Sequence, residues 1–294
     1  MMKVLSIIGA TASGKSDLAM KIAEKFNGEI VSCDSVQIYK YFNIGSAKPS
    51  SIELQKIPHH LIDVLEPTST CNAGYWRDLA IPIVEDIISR GKLPIIVGGT
   101  GLYLKSLYIG MFEGNSRDQE YREFLQNRAL KENISILYQE LQQVDPTYAL
   151  KIASTDQLRI IRALEAIKVT QIKFSELHQY NIKPAWNWIF TMPKISREDI
   201  YKRIEKRFFV MLDNGLIEEV KYLIECFGNE IPAINTIGYR NVMKYLEGST
   251  NLEEMRNTLI QDTKHFAKRQ QTLFRSLIKD SDILDPDILL SQGI

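Results

Sequence analysis

Residues Gly9-Ala10-Thr11-Ala12-Ser13-Gly14-Lys15-Ser16 complete the pattern G-x-x-x-x-G-K-[ST], and their flanks decide how the chain folds around them. Val4, Leu5, Ile7 and Ile8 form a short aliphatic, β-branched run suited to a buried strand. Beyond Lys15 the apolar residues Leu18, Ala19, Ile22, Ala23 and Phe26 recur at helical spacing. Strand, glycine loop and helix together aim backbone N–H groups and a helix N-terminus at one point, which suits an anion. Lys15 adds a positive charge for the outer phosphates, and the Ser16 hydroxyl is placed to hold Mg2+. This P-loop predicts binding of a diphosphate or triphosphate. It does not say what is done with it.

Alternation of strand and helix signals continues to about Leu107. Glu29–Ser32 reads as a second strand, Trp76–Arg90 as a helix, and Leu93–Val97 as a third strand ending in glycines. Such alternation predicts an α/β fold, a parallel sheet flanked by helices with the ligand at the carboxyl ends of the strands. Gly9, Asp34 and Gly98 all fall at those ends. Between 111 and 184 the character changes. Gln119–Leu130, Ile134–Val144 and Gln157–Val169 are helical segments without strand signals between them, and they predict a helical insertion domain. Trp186–Met192 then reads as a strand returning to the sheet. Helices follow over Arg197–Leu212, Leu216–Cys226, Tyr239–Leu246 and Leu252–Leu277, the last with Leu259, Phe266, Leu273 and Leu277 on one face. The expected division is a catalytic core of 1–110 with 185–294, interrupted by an insertion of 111–184.

Composition bounds the class but not the chemistry. Of 294 residues, 45% are hydrophobic and 24% charged, ordinary for a globular protein. No apolar stretch approaches the ~20 residues that cross a bilayer, so no membrane partner is expected. Met1-Met2-Lys3-Val4 runs straight into the first strand, which predicts no secretory signal. Cys33, Cys71 and Cys226 suggest neither a disulfide framework nor a zinc site. A cytoplasmic monomer is the expectation. The net charge of zero hides segregation. Lys264, Lys268, Arg269 and Arg275 precede a tail turned acidic by Asp280, Asp282, Asp285 and Asp287.

Several side chains are placed to do chemistry. Asp34 follows the second strand and puts a carboxylate at the ligand edge, as metal ligand, general base or cap of the next turn. Cys33 reads as a packing residue, because no His accompanies it. The third strand ends in Gly98-Gly99-Thr100-Gly101, where many P-loop ATPases carry an Asp for Mg2+. That loop admits a substrate close to the backbone and offers the Thr100 hydroxyl, but supplies no carboxylate. Arg203 and Arg207 share a helix face at i, i+4 spacing. With Arg159, Arg162, Arg240 and the Lys264–Arg275 group they suit either solvent or a polyanionic second substrate. His59 and His60 lack the partners of a metal site. From these residues alone a small-molecule or nucleotide kinase is the alternative reading.

Taken in order, the motifs resemble one family closely, the bacterial tRNA dimethylallyltransferases. The similarity runs nearly end to end. It includes Gly9–Ser16, Asp34-Ser35-Val36-Gln37-Ile38-Tyr39, Gly45-Ser46-Ala47-Lys48-Pro49 and Pro58-His59-His60-Leu61-Ile62-Asp63. It continues through Gly98-Gly99-Thr100-Gly101-Leu102-Tyr103, Arg159–Glu165, Arg203–Phe208, Gly238-Tyr239-Arg240 and Ala267-Lys268-Arg269-Gln270. The P-loop alone is widely shared, whereas the rest of the set, in this order, is specific.

The resemblance implies transfer of a dimethylallyl group from dimethylallyl diphosphate to the exocyclic N6 amine of the adenosine next to the anticodon (tRNA position 37). Diphosphate is released and no nucleoside triphosphate is hydrolysed. By the same resemblance Gly9, Ala10, Thr11, Ala12, Ser13, Gly14, Lys15 and Ser16 hold the diphosphate, with Mg2+ at Ser16. Asp34 matches the base that takes the amine proton, Thr100 a residue that orients the amine, and Arg207 an arginine that assists the diphosphate. Contacts to tRNA are implied for Asp34, Ser35, Val36, Gln37, Thr100 and Arg122. They are also implied for Leu158, Arg159, Ile160, Ile161 and Arg162, and for Asn235, Thr236, Ile237, Gly238, Tyr239 and Arg240. The insertion would grip the anticodon stem-loop, and the target base would leave its stack to reach the P-loop. The chain departs from the family pattern at Ser46, Leu158, Gln171-Ile172-Lys173, Cys71–Trp76 and Leu273, none of them a proposed catalytic group.

Overall fold

The structure, a computed structural model, describes residues 2–112 and 116–292. It divides into two compact units, Met1–Ser106 with Ala185–Ile294, and Leu107–Pro184. In chain order the strands are β1 (Lys3–Ile7), β2 (Gly28–Ser32), β3 (His59–His60), β4 (Leu93–Val97), β5 (Met111–Phe112), β6 (Asn181–Ile182), β7 (Asn187–Thr191) and β8 (Ile283–Leu284). The first unit holds a six-stranded sheet of order β3-β2-β4-β1-β7-β8. Each neighbouring pair is parallel, with Leu5 opposite Ile95 and Ile189, and Val31 opposite Ile96 and His60.

The central strands are aliphatic because parallel strands are covered on both faces. Leu5, Ile7, Ile95 and Val97 pack with Ala19, Ile22 and Ala23 of the helix Lys15–Phe26 in one buried cluster. The helix Ala73–Ser89 contacts β2 and β4 and buries Trp76, Ala80, Val84 and Ile87. The Trp76 indole N–H donates to Ser32 O at 3.1 Å, and its ring stacks on Tyr103 at 5.2 Å. That helix begins before Trp76 because Asn72 accepts hydrogen bonds from the Gly74 and Tyr75 N–H groups, a cap of the ordinary kind.

On the long helix Leu252–Leu277 the buried residues are Met255, Leu259, Ala267, Gln270 and Phe274, while Leu273 is exposed. A seven-residue spacing drifts about 20° per repeat on a straight helix. Over two repeats this leaves Leu273 only about 40° from Leu259, so its exposure instead reflects how the second half of the helix packs, with Ala267, Gln270 and Phe274 turned inward. The strands β3 and β8 add two residues each to the sheet edges, too few to show any period in the sequence.

At one edge Glu29 is buried and is met by three side chains, Arg90, Lys92 and His60. Arg90 reaches it through Nη1 at 2.5 Å and Nη2 at 2.8 Å, Lys92 at 2.7 Å and His60 at 2.8 Å. These bonds, led by that of Arg90, hold its carboxyl far below the usual carboxylate range against the opposing cost of burial. We expect Glu29→Ala to lower stability by about 3 kcal/mol in urea unfolding, the low end for breaking a buried pair, because the cations are partly solvated. A depressed folded-state pKa contributes stability above the unfolded value near 4.5 and loses it below. The gap between wild type and variant should close as pH falls under that value; a gap that widens on acidification contradicts the ion-pair account.

The second unit is helical. Gln119–Glu132, Ile134–Val144 and Gln157–Thr170 bury Leu125, Leu137, Leu141, Ile160 and Leu164 together, with Ala149 from a short helix. Asp145, fully buried, caps Tyr148 N at 3.0 Å and also accepts from Ser175 N at 2.7 Å. A two-residue antiparallel pair, β5 with β6, stands where the sequence showed no strand signal. The unit starts at Leu107 rather than at 111.

Candidate active site

The P-loop spans from β1 to the helix Lys15–Phe26 as expected. Gly14 lies at φ 91° and caps that helix in a left-handed conformation that a side chain rarely adopts. Lys15 Nζ donates to Ala10 O at 2.6 Å, so the ammonium folds back across its own loop. Burial lowers its pKa to about 8, opposed by the Asp34 charge and assisted by that of Arg207. The Ser13 hydroxyl is buried and without a hydrogen-bond partner among the described residues. An unpartnered polar atom inside a loop of this kind suits a ligand oxygen. One donor is not free for phosphate: the Thr11 N–H is taken by Gln270 Oε1 at 2.8 Å.

Asp34 and Thr100 come together because the loops after β2 and β4 touch through backbone. A Cβ on Gly98 would lie 2.0 Å from Cys33 O, so only glycine permits this approach. Thr100 N donates to Cys33 O at 3.2 Å, and Thr100 Oγ1 accepts from Ser35 N at 3.0 Å. Asp34 Oδ1 accepts from Val36 N at 2.8 Å and Gln37 N at 3.2 Å, so this residue does cap the next turn. Its Oδ2 has no hydrogen-bond partner among the described residues. Capping and chemistry are thus divided between the two oxygens. Burial raises the Cys33 thiol far above its ordinary range and leaves it an inert packing group.

The helix Arg197–Asp213 brings two guanidinium groups to the same place. Arg207 Nη1 lies 3.4 Å from Thr11 Oγ1. Its pKa is lowered by burial and supported by Asp34. Arg203 Nη1 would be 3.1 Å from a Cβ on Gly14, so it lies against the start of the P-loop helix. A cavity of about 360 Å³ opens beside Asp34, Thr100 and Arg207, walled by apolar Ile204, Phe208, Leu216, Ile237 and Phe266. A wider cleft of about 900 Å³ shares Asp34 and Arg207 and extends over Lys15, Ser16, Lys48 and Arg203.

For Mg2+ the donors fit an ion carried in by phosphate. Ser16 is exposed at the loop's end, and no group of three or more His, Cys, Asp or Glu side chains forms a metal site among the described residues. His60 is committed to Glu29, and His59 Nδ1 to Ile57 O at 2.7 Å.

Of the remaining residues picked from the sequence, Asn235, Thr236, Ile237 and Gly238 line the smaller cavity with Ser35 and Val36. Gln37 spends its amide on Ser46 O, Ala47 O and the Ser32 hydroxyl. Tyr239 offers RNA no exposed side chain. Its ring is fully buried against Gly45, and its hydroxyl donates to Glu219 Oε1 at 2.8 Å. Arg240 pairs with Asp262 at 3.2 Å. In the second unit the Ile160 and Ile161 side chains are buried in the helical core. Leu158 and Arg159 beside them are 80% and 64% exposed in side chain or whole residue. Arg122 and Arg162 are each bound to the buried Glu165, at 2.7 and 2.9 Å.

Glu219 was missed from the sequence. It accepts from the N–H groups of Asn43, Ile44 and Gly45 at 2.9, 2.7 and 3.0 Å, and so holds the loop that carries Ser46 to the cavity. An acid on a solvated-looking helix gives no signal of three backbone partners far away in the chain.

The family model described as IPP transferase matches residues 37–277. The chain belongs to the IPP transferase family. A second model of that chemistry, isopentenyl transferase, matches residues 2–66 and so takes in the P-loop. The tRNA dimethylallyltransferase of Acetivibrio thermocellus is 40% identical over 279 residues, 93% of this chain and 89% of the relative. That of Thermotoga neapolitana is 40% identical over 275 residues, 93% and 90% of the two chains. Among solved structures, the tRNA isopentenylpyrophosphate transferase of Bacillus halodurans superposes with a TM-score of 0.71 at 32% identity, over 99% of this chain and 94% of that one. A eukaryotic dimethylallyltransferase described as acting on tRNA gives a TM-score of 0.82 at 28% identity, over 97% and 74%. Among the described residues of this IPP transferase, no helix is long and apolar enough to cross a membrane.

The lowered pKa of Lys15 has a consequence for binding. In the free protein the ammonium loses its proton above about pH 8, while a diphosphate partner favours the charged form. Binding then takes up a proton between that value and the ordinary 10.5. Affinity for a diphosphate ligand should fall by up to about tenfold per pH unit above 8, and this component should vanish in Lys15→Ala. Titration calorimetry at several pH values checks it; parallel profiles for the two proteins contradict it.

Proposed function

We infer that this chain is a tRNA dimethylallyltransferase, a prenyltransferase that modifies tRNA, and we propose dimethylallyl diphosphate as the donor. The acceptor we propose is the N6 amine of the adenosine next to the anticodon. One observation carries the reading. A P-loop, an Asp34 oxygen without a partner and the Thr100 hydroxyl face cavities of one unit, and the strand β4 ends in glycines rather than a carboxylate.

In the proposed reaction the amine nitrogen forms a bond to the first carbon of the dimethylallyl group as that carbon's bond to diphosphate oxygen breaks. The adenine amine is a weak nucleophile, since its lone pair is delocalised into the ring. It needs its proton taken as the bond forms, and Asp34 Oδ2 accepts that proton. The Val36 and Gln37 N–H groups fix the carboxylate's orientation through Oδ1. Lys15, Arg207 and the P-loop N–H groups stabilise the charge that develops on the leaving diphosphate. Mg2+, held by Ser16 and the diphosphate oxygens, would neutralise part of that same charge. Ile204, Phe208 and Phe266 exclude water, which would otherwise capture the allylic group. In the second unit the exposed Leu158 and Arg159 are our proposed contacts to the anticodon stem-loop.

Release of diphosphate tests the reading against a kinase. It should require both dimethylallyl diphosphate and tRNA, and ATP should transfer no phosphate to any small acceptor. Phosphate transfer from ATP in the absence of RNA would overturn it.

A further inference from the structure

The long helix Leu252–Leu277 buries a glutamine among Met255, Leu259, Ala267 and Phe274. An amide in such a stripe costs free energy unless both its ends are bonded. Both are. Gln270 Oε1 accepts from the Thr11 N–H at 2.8 Å, and Nε2 donates to Gly99 O at 2.8 Å. One side chain, 5% exposed, thus ties the P-loop to the loop after β4, across 259 and 171 residues of sequence. The approach is built in. A Cβ on Gly99 would lie 2.2 Å from Gln270 Nε2, so glycine at 99 is what admits the amide. From Gly99 the backbone passes to Thr100, whose hydroxyl accepts from Ser35 N next to Asp34, while Thr11 Oγ1 faces Arg207.

We propose that Gln270 is a positioning residue that sets the separation between the diphosphate half of the site, held through Thr11, and the base half, held through Gly99 and Thr100. It touches no reacting atom in this account. Its role rests on the prenyl-transfer reading given above. In-line displacement needs nucleophile, carbon and leaving group in register, and a misplacement of about 1 Å is enough to cost about 10²-fold in rate.

Two variants test this. Gln270→Met keeps the volume and loses both hydrogen bonds. Gln270→Glu keeps the acceptor for Thr11, but a charged carboxylate repels Gly99 O, and only the protonated carboxyl can donate to it. Lys15, Asp34, Arg207 and Arg269 line the same cavities, so each variant rate is divided by the wild-type rate at the same pH. The measurement is single-turnover transfer to tRNA with dimethylallyl diphosphate saturating, between about pH 5.5 and 7.5, well below the melting temperature of each protein. For Gln270→Met we expect a loss of about 10²-fold at every pH, with KM for either substrate changed less than threefold. For Gln270→Glu the ratio should climb towards one as pH falls and the carboxyl protonates. Wild-type rates for Gln270→Met, or losses that appear in KM rather than turnover, would overturn the proposal, as would a pH-independent ratio for Gln270→Glu. Wild-type protein that transfers nothing would instead overturn the prenyl-transfer reading on which the proposal rests.

Discussion

Asp34→Asn should lower single-turnover transfer by ~10²–10⁴ while leaving tRNA affinity within a small factor of wild type. The asymmetry of the carboxylate makes this substitution clean. Oδ1 is engaged by the Val36 and Gln37 N–H groups, which an amide oxygen satisfies equally well. The turn therefore stays capped, and the amide nitrogen takes the place of Oδ2, where it cannot accept a proton. Thr100→Ala should cost less, since its hydroxyl binds Ser35 N and orients without carrying a proton. Single-turnover rates for the pair, beside equilibrium binding of tRNA, check the order. A fully active Asp34→Asn protein would leave Asp34 as a cap and nothing more.

Lys15→Ala should lower transfer by ~10²-fold or more, the scale for losing one donor aimed at charge that grows in the transition state. The loss should appear in turnover and in diphosphate affinity, not in binding of tRNA. Among the described residues the Lys15 ammonium bonds only Ala10 O, so its removal leaves the loop's other contacts in place. Abolished tRNA binding with turnover spared would contradict the assignment of this loop to the diphosphate.

Much of this was legible in the sequence for physical reasons that differ from element to element. The P-loop was legible because its glycines and Lys15 are a local requirement, satisfied within one short segment. β4 was read at its true bounds because a buried parallel strand is continuously apolar. That Asp34 and Thr100 lie together was legible because strand ends converge in any parallel sheet, and Gly98 supplies the contact. What was missed depends on partners distant in sequence. Glu219 and Gln270 are ordinary polar residues on helices until their backbone partners are seen. Tyr239, Ile160 and Ile161 lie inside segments that resemble RNA-contacting motifs, yet the packing of each helix turns them inward. Leu273 was misplaced because the second half of its helix buries Ala267, Gln270 and Phe274 instead, a choice made by distant packing partners.

In the proposed reaction the P-loop and Asp34 of one unit act together to prenylate a tRNA base. The most direct test is mass analysis of nucleosides from tRNA incubated with the protein, dimethylallyl diphosphate and Mg2+. One dimethylallyl group is expected in place of a hydrogen on the adenosine next to the anticodon, matched mole for mole by released diphosphate, and neither with Asp34→Asn on the same timescale. Unmodified tRNA, or diphosphate released without a modified nucleoside, would contradict that reaction.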